Sequence, residues 1–125
     1  MIQKLLLLML AGAIGTLARY GLSGLVQRMA GADFPWGTVA VNLTGCFLAG
    51  LVWTLAEYRL DIGGQTRAIL LIGFMGAFTT FSTYVFETSA FIHDAEWLCA
   101  FGNIALQNGI GVIAVFGGYA VGRMI

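Results

Sequence analysis

The residues best suited to chemistry lie between Gly73 and Tyr84, where the chain reads Gly-Phe-Met-Gly-Ala-Phe-Thr-Thr-Phe-Ser-Thr-Tyr. Two glycines and four hydroxyl side chains interrupt a run that is otherwise apolar enough for a membrane. Hydrocarbon cannot hydrogen-bond loose backbone groups, so such a segment is tolerated only where it is buried in protein or lines a watery cavity. Broken helices of this kind expose backbone carbonyls to ions. The stretch therefore predicts ion binding.

The aromatic side chains of this stretch could attract an anion. Phe81 and Tyr84 are three residues apart, which places them on one face of a helix. The edge of an aromatic ring is electropositive, so it would attract a small anion weakly. A weak site also allows the ion to leave. The alternative is that these rings, together with Phe78, pack in the protein core.

Amide side chains in two other segments could donate hydrogen bonds to the same ion. Asn42 lies within an apolar run, where a buried amide needs partners. Asn103 and Gln107 are four residues apart and Gly111 follows one turn later, so the three share one helix face. These amides would line a pore, or they would form the hydrogen bonds that join helices in membrane bundles. Both interpretations stay open on the sequence alone.

Two charged residues, Arg19 and Glu87, fall within largely apolar segments. Arg19 is off-centre in the first of these, so its long side chain could reach the membrane interface or pair with another group. It could equally attract anions into a vestibule. Glu87 could lie near an interface, or it could accept hydrogen bonds from hydroxyls such as Thr83.

The composition is that of an integral membrane protein. Hydrophobic residues make up 59% of the 125 and charged residues only 10%, against about a quarter in an average soluble domain. The formal net charge is zero, which favours neither nucleic acid nor a polybasic contact with a membrane surface. Cys46 and Cys99 have no metal-ligand spacing, and the single histidine, His93, lies in a polar turn. We therefore expect the chain not to be an enzyme.

Four apolar segments use nearly the whole chain, since one membrane crossing needs about 20 residues. Pro35 suits the first turn of the second segment, and the three tryptophans fall near predicted ends, as interfacial aromatics do. The predicted fold class is all-α, with four transmembrane helices of which the third is broken near its middle. We expect a single membrane domain, 1–125, with spans at about 3–27, 35–57, 67–91 and 97–122.

Small residues predict close helix packing and, indirectly, an oligomer. Ala11 with Gly15, and Gly118 with Gly122, have the spacing that lets two helices approach closely, either within one subunit or between two. Four short helices bury little surface by themselves, and their polar faces must point away from lipid. We therefore expect a homo-oligomer, most simply a dimer.

The charge distribution gives little indication of orientation. With four spans both termini lie on one side, which then also holds most of the basic residues near helix ends. That side would carry four of them and the other side one or two, a bias too small to fix a topology. The four are Lys4, Arg59, Arg67 and Arg123, and Arg28 lies opposite with Arg19 as a further candidate.

Three motifs resemble those of the Fluc/CrcB family of fluoride channels. They are Gly-x-x-x-Arg-Tyr at 15–20, Trp-Gly-Thr-x-x-Val-Asn-Leu at 36–43 and Gly-x-x-Thr-Thr-Phe-Ser-Thr at 76–83. The resemblance covers essentially the whole chain, including its length, span number and motif order. It implies an antiparallel, dual-topology homodimer with two fluoride pores. It also implies a structural Na⁺ on the two-fold axis, held by the main-chain carbonyls of Gly76 and Thr79.

The same resemblance assigns roles to individual side chains. Arg19 would be the basic residue of the first motif. Independently of the resemblance, we expect a vestibule or structural role for both Arg19 and Glu87. The family usually has Phe at the position of Tyr84, so this hydroxyl would either donate to fluoride or turn away. Relatives also carry different polar residues in the fourth span. The residues that would line the pore are Phe81, Tyr84, Asn42, Ser82, Thr83, Asn103 and Gln107.

The function that this resemblance implies is passive, fluoride-selective export across a bacterial-type inner membrane, which would lower cytoplasmic fluoride. The alternative is a small dual-topology, proton-coupled drug antiporter. Such an exporter would need a carboxylate deep in a span, and the first two spans have none before Glu57. A third possibility is a non-conducting subunit of a membrane assembly.

Overall fold

The computed structural model describes residues 2–58 and 62–125, and every regular element in those ranges is a helix. Four helical segments are long and apolar enough to cross a membrane, which confirms the predicted all-α, multi-pass architecture. Their ends differ from the predicted ones by a few residues, because the helices continue through polar residues such as Arg28. Arg59 and Asp61 lie outside the described residues. The four segments are Ile2–Ala30, Trp36–Tyr58, Gly64–His93 and Trp97–Met124.

Two of these segments are single helices and two are composite. The first two segments are α1 (Ile2–Ala30) and α2 (Trp36–Tyr58). Both composite segments contain a π-helical stretch, in which wider turns are closed by hydrogen bonds five residues apart. The third segment consists of α3 (Gly64–Ala68), π1 (Ile69–Met75), α4 (Gly76–Phe78) and α5 (Phe81–His93). The fourth consists of α6 (Trp97–Ile104), π2 (Ala105–Ile110) and α7 (Gly111–Met124).

The third segment is broken where the sequence analysis predicted, between α4 and α5. Thr79 (φ −83°, ψ 159°) and Thr80 (φ −146°, ψ 106°) are extended rather than helical. Thr80 then starts α5 as its N-cap, since its hydroxyl oxygen accepts a hydrogen bond from the Thr83 N–H at 3.3 Å. The predicted break in the third helix is confirmed.

The predicted small-residue contacts occur within one chain. Gly118 of α7 packs directly on the Phe47 carbonyl of α2, and a Cβ at Gly122 would lie 2.8 Å from the Thr54 Cβ. Any larger residue at these two glycines would push α7 away from α2. This close seam fixes the fourth segment against the second.

A second close seam joins α1 to the first half of the third segment. A Cβ on Gly73 would lie 2.9 Å from the Ala11 Cβ, and Gly15 packs on the Phe74 carbonyl. Gly15 is the only described residue of α1 that is buried, so most of this helix faces outward. The seam therefore leaves most of the α1 surface exposed.

Side chains also fix both ends of α2. At its start, the Gln27 amide nitrogen donates to the Phe34 carbonyl at 2.9 Å, and its oxygen accepts from the Gly37 N–H at 2.9 Å. At its end, Arg67 donates to the Ala56 carbonyl at 3.0 Å and pairs with Glu57 at 3.3 Å. These contacts tie α2 to the ends of its two neighbours in sequence.

Candidate ion-binding site at the break in the third segment

Asn42 supports the break by pairing with the backbone of Thr80. The Thr80 N–H donates to Asn42 Oδ1 at 2.8 Å, and Asn42 Nδ2 donates to the Thr80 carbonyl at 3.1 Å. An extended residue has no helical partners for these groups, and an amide side chain supplies one donor and one acceptor. The structure thus gives Asn42 the bonding role between helices that the sequence analysis left open.

Asn42 begins a continuous series of side-chain hydrogen bonds, which we call the amide chain (Asn42, Gln107, Asn103 and Thr88). Asn42 Nδ2 donates to Gln107 Oε1 at 2.6 Å, and Gln107 Nε2 donates to Asn103 Oδ1 at 2.8 Å. Asn103 Nδ2 donates to Thr88 Oγ1 at 2.9 Å, and Thr88 donates to the Tyr84 carbonyl at 2.8 Å. Asn103 is 0% exposed. The chain therefore links α2, the fourth segment and α5 from inside.

These bonds determine which of the predicted pore-lining amides still have a hydrogen to donate. Both hydrogens of Asn42 Nδ2 go to protein acceptors, and the carbonyl oxygen of Asn103 accepts from Gln107. Gln107 keeps one amide hydrogen for which the described residues provide no acceptor. Asn103 Nδ2 likewise has one hydrogen without a described acceptor, because it donates only to Thr88. Direct donation to an ion by Asn42, Asn103 or Gln107 stays a prediction, and among the three only Asn103 and Gln107 have an amide hydrogen to spare.

A cavity of about 210 Å³, which we call the amide cavity, lies beside the amide chain. Asn108, which the sequence analysis did not assign to the site, donates through Nδ2 to Tyr84 Oη at 2.8 Å. In a regular α-helix Asn108 would be rotated about 100° from Gln107, but both lie in the wide turn π2. The amide cavity is lined by Asn42, Cys46, Thr79, Phe81, Tyr84, Gln107 and Asn108.

The aromatic residues of the third segment divide into a core pair and a site pair. Phe78 is buried and stacks on Phe74 with ring centroids 5.7 Å apart, so it packs in the core. Phe81 is 74% exposed, whereas Tyr84 is 8% exposed, and their centroids are 5.6 Å apart. The two rings that were predicted to share a helix face are therefore adjacent, with the Phe81 ring exposed and the Tyr84 ring buried.

The hydroxyl residues at the start of α5 lie on the outer surface of the chain. Ser82 and Thr83 are exposed, and Thr80 Oγ1 donates to Thr83 Oγ1 at 2.9 Å. Glu87 accepts a hydrogen bond from Thr38 at 2.6 Å, where the sequence analysis had suggested Thr83 as a donor. Its other carboxylate oxygen, Oε2, is buried and has no hydrogen-bond partner among the described residues.

A groove runs from the break to the α1–α2 loop, along the helices α1, α2 and α5. It consists of two cavities of about 460 and 410 Å³ that share Ser23, Gln27 and Thr38. Arg19 lines the first cavity, and no described carboxylate lies within ion-pair distance of it. We call this the hydroxyl groove; its polar lining includes Arg19, Ser23, Thr38, Thr80, Thr83 and Glu87.

The break also frees two backbone carbonyls that could hold a cation. In an α-helix the Gly76 carbonyl would bond the Thr80 N–H and the Thr79 carbonyl would bond the Thr83 N–H. Those two donors instead go to Asn42 Oδ1 and to Thr80 Oγ1. Gly76 and Thr79 line one cavity of about 250 Å³. Within residues 2–58 and 62–125, no three His, Cys, Asp or Glu side chains form a metal site.

Comparison with known proteins bears on this site. Residues 6–119 match the family described as CrcB-like protein, Camphor Resistance (CrcB). The chain is 57% identical to a protein of Nitrosococcus oceani, over 98% of both chains. It is 52% identical to one of Solidesulfovibrio magneticus over the full length of both, and 48% identical to one of Desulforapulum autotrophicum over 98% of both.

All three relatives are named fluoride-specific ion channel FluC. Their names are those of channels, which confirms the expectation that the chain is not an enzyme. The match to the family covers most of the chain, including all three motifs around Arg19, Asn42 and the break. A helical membrane protein with this match and these relatives belongs to the CrcB family.

Proposed function

We propose that this chain forms a fluoride-specific channel through which the anion crosses a membrane passively. The observation that carries the proposal is the full-length similarity to relatives named as fluoride-specific channels. The polar groups at the break support it, because uncharged donors and ring edges can replace part of an anion's hydration without holding it tightly. In this proposal the path follows Phe81, Ser82 and Thr83 and the adjoining amide cavity.

The channel would be an antiparallel, dual-topology homodimer with two pores. Support comes from the outer surface of the chain, where Phe81 is 74% exposed and Ser82 and Thr83 are exposed beside it. Polar groups and a freed backbone carbonyl at mid-membrane depth are costly against lipid. A second copy would cover them and provide the opposite wall of each pore.

A structural Na⁺ would lie at the interface between the two subunits. The carbonyls of Gly76 and Thr79 fit this role, since both have lost their α-helical donors and both residues line one cavity. Hard cations take about six or more oxygen ligands, so two carbonyls from one chain are too few. A second copy would double that number and would make cation binding part of dimer formation.

In a cell, the proposed channel would sit in a bacterial inner membrane and let fluoride leak out along its electrochemical gradient. The proposed channel requires no coupling to protons, and the described residues that line the amide cavity include no acidic or basic side chain. Arg19 in the hydroxyl groove would attract fluoride toward the path. The result would be a lower concentration of fluoride in the cytoplasm.

The test is fluoride efflux from liposomes that contain the purified protein, measured with a fluoride electrode. We expect fast efflux that empty liposomes lack, with little chloride efflux under the same conditions. Efflux equal to that of empty liposomes, or equal rates for chloride, would overturn the proposal. A flux that followed an imposed proton gradient would instead favour the antiporter.

A further inference from the structure

The Tyr84 side chain is buried, and the described residues offer its hydroxyl hydrogen no acceptor. Tyr84 is only 8% exposed, and its Oη has one hydrogen-bond partner in the described parts of the chain, Asn108 Nδ2 at 2.8 Å. A phenol has both a hydrogen to donate and lone pairs that accept. If Tyr84 accepts from Asn108, its phenolic hydrogen remains available; if Tyr84 donates to Asn108, that hydrogen is already used.

The Ile104 carbonyl settles the direction of this hydrogen bond. The same Asn108 Nδ2 lies 2.9 Å from the Ile104 carbonyl oxygen, which can only accept. The atom facing that carbonyl must therefore be the amide nitrogen, and its second hydrogen points to Tyr84 Oη. Tyr84 is thus the acceptor in its contact with Asn108, and its own hydrogen has no partner within residues 2–58 and 62–125.

A second unmatched donor lines the same amide cavity. Gln107 Nε2 uses one hydrogen for Asn103 Oδ1 and has no described acceptor for the other. The cavity measures about 210 Å³, and none of the described residues that line it has a charged side chain to compete for a small ion. Gln107 is half-buried, and donors that are shielded from solvent and lack partners are unfavourable unless a water or a ligand accepts from them. The complementary ligand for two unmatched donors in one cavity is an acceptor without hydrogens of its own.

We infer that the Tyr84 hydroxyl, held by Asn108, donates a hydrogen bond to the permeating anion in the amide cavity. This inference rests on the proposed function and adds a subsite to it. A phenyl ring at this position could present only its weakly positive edge. The hydroxyl turns this ring into a directional donor, and Asn108 prevents it from rotating away.

The experiment compares Tyr84→Phe with the unaltered channel in liposomes over a range of fluoride concentrations. A hydrogen bond to a charged group contributes enough that its loss raises the half-saturating fluoride concentration about tenfold. Tyr119→Phe is the matched control, because it also removes a phenolic hydroxyl, and the Tyr119 ring packs against Phe116 and near Gly50 of α2 without lining the amide cavity. We expect no change in that variant.

Asn108→Ala tests how the hydroxyl is held. It should raise the half-saturating concentration less than Tyr84→Phe does, and the double variant should be no worse than Tyr84→Phe alone. Unchanged half-saturation in Tyr84→Phe, with or without a loss of thermal stability, would overturn the inference while leaving fluoride conduction intact. Failure of the unaltered protein to conduct fluoride would overturn the proposed function itself.

Discussion

The amide chain and the hydroxyl groove meet at Thr80, but they differ in how their polar groups are satisfied. Along the amide chain each link joins two protein atoms, and Asn103 is wholly buried. Along the groove, Arg19 has no described carboxylate partner, and Glu87 has one oxygen without a hydrogen-bond partner among the described residues. Paired groups hold structure in place, whereas unpaired groups next to open space require something else to satisfy them.

The difference shows that the break in the third segment can have a fixed backbone and still expose polar side chains to a ligand. The backbone at Thr80 is fixed from the inside by Asn42, so it need not move when a ligand arrives. The hydroxyls that follow it are therefore presented outward in a fixed arrangement. Substitutions in the amide chain should damage the protein itself, and substitutions on the exposed side should damage transport alone.

The largest effect is expected from Asn42→Leu. It leaves the Thr80 N–H and carbonyl unpaired in the membrane, and each such group costs about 1–3 kcal/mol. We expect loss of a stable protein in detergent, seen as a much lower melting temperature and a broadened size-exclusion peak. Thr44→Ala, an exposed change on the same helix, should leave both unchanged. An unchanged melting temperature for Asn42→Leu would contradict the structural role assigned to the amide chain.

Phe81→Ile should impair transport and spare the structure. The replacement removes the exposed ring edge, and we expect fluoride efflux to fall about tenfold, equivalent to about 1.4 kcal/mol, with an unchanged size-exclusion profile. Phe86→Ile is a matched control, because Phe86 is also 74% exposed and lies on the same helix but does not line the amide cavity. Equal efflux in the two variants would exclude Phe81 from the path.

A smaller effect is expected from Arg19→Gln in the hydroxyl groove. If the guanidinium attracts anions, efflux should fall a few-fold at low ionic strength and recover as salt screens the charge. Arg28→Gln, which changes an exposed residue in the last turn of α1, should show no such dependence. An Arg19→Gln channel that matches the unaltered one at every salt concentration would mean that Arg19 serves only to reach the membrane interface.

The smallest effect concerns the cation. If Na⁺ is bound structurally between the Gly76 and Thr79 carbonyls of two subunits, replacing Na⁺ in the bath should change fluoride efflux only slowly or weakly. The measurement is efflux in Na⁺-free buffer, immediately after exchange and after prolonged dialysis. A rapid, graded dependence on bath Na⁺ would instead indicate transport coupled to the ion.

The fold could be predicted well because it follows from patterns of neighbouring residues. The site could be predicted only in part because it depends on contacts between residues far apart in sequence. Apolar runs gave the four membrane segments, and the Thr79–Thr80 pair among glycines gave the break. The bond between Asn42 and Thr80 joins residues 38 apart in sequence, so no spacing rule could show it. Asn108 was missed because the sequence analysis assumed a regular α-helix through π2, which would place it on another face from Gln107.

The wide turn π2 also gives the fourth segment a tolerance to changes in length. A turn closed by hydrogen bonds five residues apart holds about one residue more than an α-helical turn. Deleting one residue within 105–110 could therefore be absorbed by tightening this turn, leaving Gly118 and Gly122 facing α2. A deletion inside α7 would rotate the helix beyond it by about 100° and bring larger side chains against α2. Homologues that differ in length by one residue in this segment should therefore carry the difference at π2.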